Sequence, residues 1–147
     1  RRLVNVYVDT NLVVARTVTD HPHQSAAVRL FREIRSHRWK PVISAHGLAE
    51  VYSILTRAPF VPRISPTEAG EMIRHNIVPH FQIESMTRAD YISVIQDCAL
   101  NLWSGGRIYD AIHIHAARKA KCRRIFTMNV DEFRRMAPDL RDRVVRP

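Results

Sequence analysis

Short β-branched runs alternate with segments of helical period along this chain, and few folds accommodate that order. Leu3 to Val8 (LVNVYV) is almost continuously apolar, as expected of a strand covered on both faces. Pro41 to Ser44, His80 to Glu84, Arg124 to Met128 and the pair Val144-Val145 read as further strands. Helical segments lie between them. A short one covers Thr10 to Thr17; His21 to Ser36 carries Ala27, Leu30, Phe31 and Ile34 on one stripe; Ala45 to Arg57 sets Leu48, Val51, Tyr52 and Leu55 at core spacing. Ser65, Pro66 and Glu68 supply a cap, a proline at the first helical position and a glutamate at the third, which predicts a helix to about Asn76. Thr87 and Asp90 repeat the capping pattern and open a helix to about Leu102. After Gly105-Gly106 another helix spans about Tyr109 to Ala120, and Asp131 to Met136 makes one or two turns. Such alternation implies βαβ units, hence a parallel sheet of four or five strands between two helical layers, a three-layer α/β/α domain. The 147 residues favour a single domain over 1–147, large enough to bury about 70% of its unfolded surface.

In parallel sheets ligands bind beyond the carboxyl ends of the strands, and the first strand here ends in Asp9, within VYVDTN. Two roles stand open for that carboxylate: cap of the following helix, or member of a site. Other acids recur in comparable places. Glu50 lies in the helix after the second strand, off its core stripe. Asp110 opens the helix IYDAIHIHAA, where the macrodipole also favours an acid. Thr127, Asn129 and Asp131 follow the fourth strand in FTMNVDEF, and Asp131 also suits the cap of the last helix. Taken together they set several carboxylates on the binding edge of one sheet. Clustered carboxylates repel, and a divalent cation offsets that repulsion. Oxygen-only donors suit Mg2+ or Mn2+ rather than zinc.

The charge balance sharpens this reading. Lys and Arg number 23 against 14 Asp and Glu, a net charge of +9. An excess of that size points to a polyanionic partner, with a solubilising surface as the alternative. An acidic metal site inside a basic shell describes a phosphodiester hydrolase: the shell attracts the backbone and the metal serves the chemistry. Cys98 and Cys122 show neither metal spacing nor a disulfide framework and fit reduced core positions in a cytoplasmic protein. No apolar run is long enough to span a membrane, and the basic start, followed by a short stretch containing Asn5 and Asp9, does not read as a secretory signal. There is no zinc signature and no glycine-rich phosphate loop.

VYVDTN, SAHGLAEVYSILTR and GGRIYDAIHIHAARKAKCRRIFTMNVDEF, in that order and spacing, resemble the PIN domain ribonucleases, and more closely the VapC-type toxins of toxin–antitoxin modules. The resemblance covers nearly the whole chain. It implies a PIN-like α/β/α fold and metal-dependent RNA cleavage in which Asp9, Glu50, Asp110 and Asn129 form the catalytic, Mg2+- or Mn2+-binding quartet. Many members have Asp where this chain has Asn129, a neutral ligand that weakens a second metal position; Asp131 is the residue placed to compensate. Thr10 and Thr127 match hydroxyl positions beside the site. The resemblance further implies an RNA substrate (a tRNA or ribosomal RNA), a homodimer, and a cognate antitoxin whose C-terminal segment crosses the acidic cleft, with the helices His21 to Ser36 and Pro66 to Asn76 as its walls.

Residues around this quartet carry weaker expectations. Arg57, Arg63 and Arg107 lie near the mouth of the site, placed either to hold phosphates or simply to face solvent. Trp39 and Trp103 suit base stacking or packing. His46 lies one turn before Glu50, where it can support the carboxylate; His113 lies one turn after Asp110; a structural or surface role is the alternative for both. His113 and His115, two apart on a helix, point in nearly opposite directions and do not hold one ion together. The rival reading is a PIN-like module that binds RNA without cutting it, which the Asn129 departure favours.

Overall fold

The computed structural model describes residues 3–147, so Arg1 and Arg2 of the basic start lie outside the described residues. Thirteen elements follow one another: β1 (Asn5–Val8), α1 (Thr10–Thr17), α2 (Gln24–Ser36), β2 (Lys40–Ser44), α3 (Ala45–Arg57), α4 (Pro66–Asn76), β3 (Gln82–Glu84), α5 (Arg88–Leu100), α6 (Arg107–Lys119), β4 (Arg124–Phe126), α7 (Val130–Met136), a 3-10 segment (Pro138–Arg143) and β5 (Val144–Val145). The strands form one sheet in the order β3-β2-β1-β4-β5, and every pairing is parallel. This is the α/β/α architecture that the strand–helix alternation implies.

Period-two alternation along the central strands divides the core. Val6 and Val8 of β1, Ile43 of β2 and Phe126 of β4 face a cluster built with α1, α2, α3 and α4. Tyr7, Val42 and Ile125 face the opposite cluster, built with α5, α6 and α7. β1 is fully buried from Val6 to Val8, which is why its sequence reads as an unbroken apolar run.

The chain builds β1, β2 and β3 outward on one side and then returns to lay β4 and β5 on the other side of β1. The reversal puts the topological switch point at the carboxyl ends of β1 and β4, where Val8 pairs with Phe126 and Asp9 comes next. Asp9 donates its backbone N–H to the Phe126 carbonyl at 2.9 Å, so the ladder holds up to the residue that enters the crevice.

Capping chemistry sets the helix starts. Ser65 with Glu68 and Thr87 with Asp90 both form the reciprocal capping boxes that their spacing predicts. Ser44 caps α3 by accepting from the Gly47 N–H at 2.8 Å. Three expectations shift. Helix α2 begins at Gln24 rather than His21, because residues around Pro22 form a turn in which Gln24 N–H bonds the His21 carbonyl. Helix α6 begins at Arg107, two residues earlier than Tyr109, which carries Asp110 into its first full turn. Tyr52 is 41% exposed, outside the core: α3 packs through Gly47, Val51 and Leu55, a narrower stripe at i, i+4 and i+8.

Candidate active site

Asp9 fills both roles that its position leaves open. Its Oδ1 accepts the Thr10 backbone N–H at 2.8 Å and so caps α1. Its Oδ2 accepts the Thr127 hydroxyl at 2.7 Å across the β1/β4 switch point. Thr127 is fully buried, and its Oγ1 in turn accepts the Asn129 backbone N–H at 3.0 Å. Two strand ends are thus clamped by one carboxylate and one hydroxyl, and the orientation of Asp9 is fixed before any ligand arrives.

Glu50 comes to the same crevice from α3. Its Oε1 lies 3.2 Å from His113 Nε2 and 3.7 Å from His46 Nε2. His113, on α6, is the least expected member of the site. It is 1% exposed, its Nδ1 lies 2.5 Å from the Tyr7 hydroxyl, and its Nε2 reaches the Thr10 hydroxyl at 3.2 Å. Nε2 also stands 3.7 Å from Asp9 Oδ1. The Tyr7 hydroxyl accepts the Ser44 N–H at 3.2 Å, so the chain Ser44–Tyr7–His113–Glu50 ties β2, β1, α6 and α3 together. Burial alone pushes the His113 pKa down, but the Tyr7 oxygen and the carboxylates of Glu50 and Asp9 outweigh it and hold the pKa well above the ordinary histidine value. The ring therefore sits where the surrounding oxygens favour its charged form over the neutral one.

Asp110 completes the convergence from the first turn of α6. Its pKa is pushed up to about 6, first by burial and then by the negative charges of Asp9, Glu132 and Glu50, with His113 pulling the other way. Asn129 donates its side-chain amide N–H to Asp110 Oδ2 at 3.4 Å, so here it serves the carboxylate as a donor. The sequence weighs Asp131 as the supporting acid of this segment. The structure leaves Asp131 exposed and turns its neighbour Glu132 toward Asp110. The missed signal was spacing: Glu132 stands three residues after Asn129, on the same side of α7.

The donor set fits a hard cation. The converging groups are carboxylate, amide and hydroxyl oxygens; Glu50 Oε1 and Glu132 Oε1 are buried and make no well-formed hydrogen bond among the described residues, although His113 and Arg107 stand 3.2 and 3.4 Å from them. Among the same residues no group of three His, Cys, Asp or Glu side chains stands close enough to hold an ion by direct ligation alone.

The mouth of the site is basic and aromatic. A cleft of about 450 Å3 runs from Glu50 past Ser53 to Arg57, with Tyr109 and His46 on its wall. Those two rings stack at 5.4 Å and 12°. Arg107 lies 3.4 Å from Glu132, at the rim beside Asp110, and Arg63 lies in the exposed loop before α4. Trp39 stacks on His37 at 4.4 Å and Trp103 packs into the α5–α7 core, so neither belongs to this crevice.

Comparison with known proteins agrees with this architecture. Residues 6–138 match the PIN domain family. Ribonuclease VapC27 of Mycobacterium tuberculosis is 29% identical over 110 residues, covering 75% of this chain and 74% of that protein. The crystal structure of Mycobacterium tuberculosis VapC20, described as a sarcin–ricin loop cleaving toxin, superposes with a TM-score of 0.69 at 16% identity, over 86% of this chain and 92% of the other. FitAcB from Neisseria gonorrhoeae superposes with a TM-score of 0.63 at 14% identity, over 89% and 92%. The structural likenesses establish the fold, and with the family match spanning β1 to the 3-10 segment, the chain belongs to the PIN domain family, with VapC-type ribonuclease toxins among its relatives.

Proposed function

We propose that this chain is a metal-dependent endoribonuclease, the toxin of a toxin–antitoxin pair. The observation that carries the reading is the meeting of Asp9, Glu50, Asp110 and Glu132 at the switch point, where burial first and the neighbouring carboxylates second push the Asp110 pKa up to about 6. Asp9 and Asp110 would hold Mg2+ or Mn2+, with Glu50, Asn129 and Glu132 completing the shell directly or through water. Bound there, the ion supplies an acidified water and stabilises charge on the phosphoryl oxygens. The protein's own part is positioning. Thr127 and the Thr10 N–H aim Asp9. His113 holds Glu50 in place and limits the repulsion among the acids. Glu50 faces the cleft that leads to Arg57 and is placed to orient the attacking water, while Arg57 and Arg107 hold the flanking phosphates.

The relatives named VapC support an RNA target, a tRNA or a ribosomal RNA, and hence action in the cytoplasm. They also support a cognate antitoxin; the cleft at Glu50 that it would cover is walled by α3 and α6, not by α2 and α4 as the sequence suggests. A homodimer is supported by α5, whose outer surface exposes Ile92 and Ile95 and runs on to Leu100 and Leu102. Among the described residues no helix is long and apolar enough to cross a membrane. A second reading, an RNA-binding module without cleavage, draws on one observation: Asn129 stands as a donor to Asp110 where an acid would ligate. Incubating the protein with total RNA and Mn2+ or Mg2+, and mapping the new ends by sequencing, separates the two. Discrete ends that vanish in EDTA identify the nuclease and its target; RNA bound but uncut supports the module.

A further inference from the structure

The acids occupy the carboxyl edge of the sheet, and the opposite edge carries the reverse charge. A cleft of about 990 Å3 opens there, across the start of β4, and its wall includes Arg118, Lys121, Arg123, Arg124, Arg143 and the ring of Trp39. Arg118 is neutralised by a two-pronged bond to Asp139. The other four cations have no acidic partner within ion-pair distance among the described residues. Two of them are held in place. The Arg124 guanidinium lies 5.2 Å over the Trp39 ring, and Arg143 donates to the Cys122 carbonyl at 3.4 Å. Lys121 stands in the left-handed conformation (φ 55°) just past the end of α6, a position where glycine is the usual residue. None of the acids of the candidate active site lines this cleft.

We propose that this basic cleft is a second RNA-binding site, which grips the sugar–phosphate backbone of a folded substrate at a distance from the scissile bond. The identity of the polyanion rests on the ribonuclease reading; the charge and shape of the cleft do not. The chemistry favours a phosphate backbone over an acidic protein segment. Three of the four unpaired cations are arginines, whose planar forks match phosphate oxygens, and two are pre-positioned. One strand length, roughly 13 Å for four residues, separates the two edges, so an RNA helix or hairpin reaches both while a dinucleotide, with its single phosphodiester, reaches only one.

The test uses the full chain carrying Asp9→Asn, so that RNA is bound without being cut. Binding of a structured RNA of about forty nucleotides is titrated at several salt concentrations, with and without Lys121→Ala/Arg123→Ala/Arg124→Ala. Removing three phosphate contacts should weaken binding about tenfold or more and flatten the slope of log K against log salt by about two to three. Arg123→Glu alone, at an exposed position, should weaken binding in the same direction and guards against a folding defect in the triple variant. In the otherwise native protein, the triple change should leave cleavage of a dinucleotide unaltered. Unchanged affinity and salt slope in both groove variants would overturn the proposal and leave the cleft to an acidic protein partner. A native protein that cuts nothing while the groove variants still lose RNA would refute the nuclease reading and leave this site standing.

Discussion

Asp110 illustrates how a site residue differs from a stabilising one. Its carboxyl ionises near pH 6 in the fold against about 4 in the unfolded chain, so its charge costs stability, increasingly between those values and fully above them. In EDTA at pH 7.5, Asp110→Asn should therefore raise the unfolding free energy by about 1–2 kcal/mol, after discounting for partial solvent screening, and the gain should vanish near pH 4. Urea denaturation at the two pH values checks this. His113 predicts the opposite. His113→Ala removes a buried ring and leaves Tyr7, Glu50 and Asp9 without their shared partner, so it should cost about 3 kcal/mol or more by the same measurement. At this scale the sequence was legible in part. Asp9 and Asp110 could be picked out as acids that interrupt apolar surroundings near element ends, and Glu50 as an acid among apolar neighbours off the core stripe of its helix. The central place of His113 could not, because one histidine on a helix looks the same whether its ring meets solvent or two carboxylates. Choosing between Asp131 and Glu132 needed the exact start of α7, which the sequence leaves uncertain by a residue.

Glycine in a helix usually signals weakness, but Gly47 in α3 is there for close packing. A Cβ at this position would lie 2.7 Å from Ile43 Cγ1 and 3.2 Å from the Ser44 Oγ that caps the helix. Gly47→Ala should destabilise by about 1–3 kcal/mol through overpacking, and by tilting α3 it should also lower cleavage through Glu50. Thermal melts and a rate assay on the same preparation read both effects. At the junction of α5 and α6, the Asp90 carboxyl is bonded by Lys119, by the Thr87 N–H and by His115. These bonds hold its pKa well below the usual carboxylate range. The folded form thus gains stability that is complete above about pH 4 and lost as the pH falls through the carboxylate range. Asp90→Asn should flatten the melting temperature against pH between pH 5 and pH 3, while the native protein declines. Both capping boxes were legible because caps are local chemistry. The true start of α6 and the exposure of Tyr52 were not, because tertiary packing decides which face of an element is covered.

Across the whole molecule, charge follows topology. One return crossing of the chain places β1 at the switch point and brings acids from β1, α3, α6 and α7 to a single edge, while the opposite edge carries unpaired cations. The parallel, three-layer order was readable from strand–helix alternation. The separation of charge between the two edges was not, because a net charge of +9 gives no positions. The central claim is that the acidic edge cuts RNA. The most direct test is single-turnover cleavage of a labelled RNA in Mg2+ by the native protein and by Asp9→Asn, each checked for folding and RNA affinity. The account predicts that Asp9→Asn cuts about a hundredfold more slowly or worse with its affinity nearly intact, and that EDTA stops the native enzyme. Equal cutting by the two proteins would contradict it.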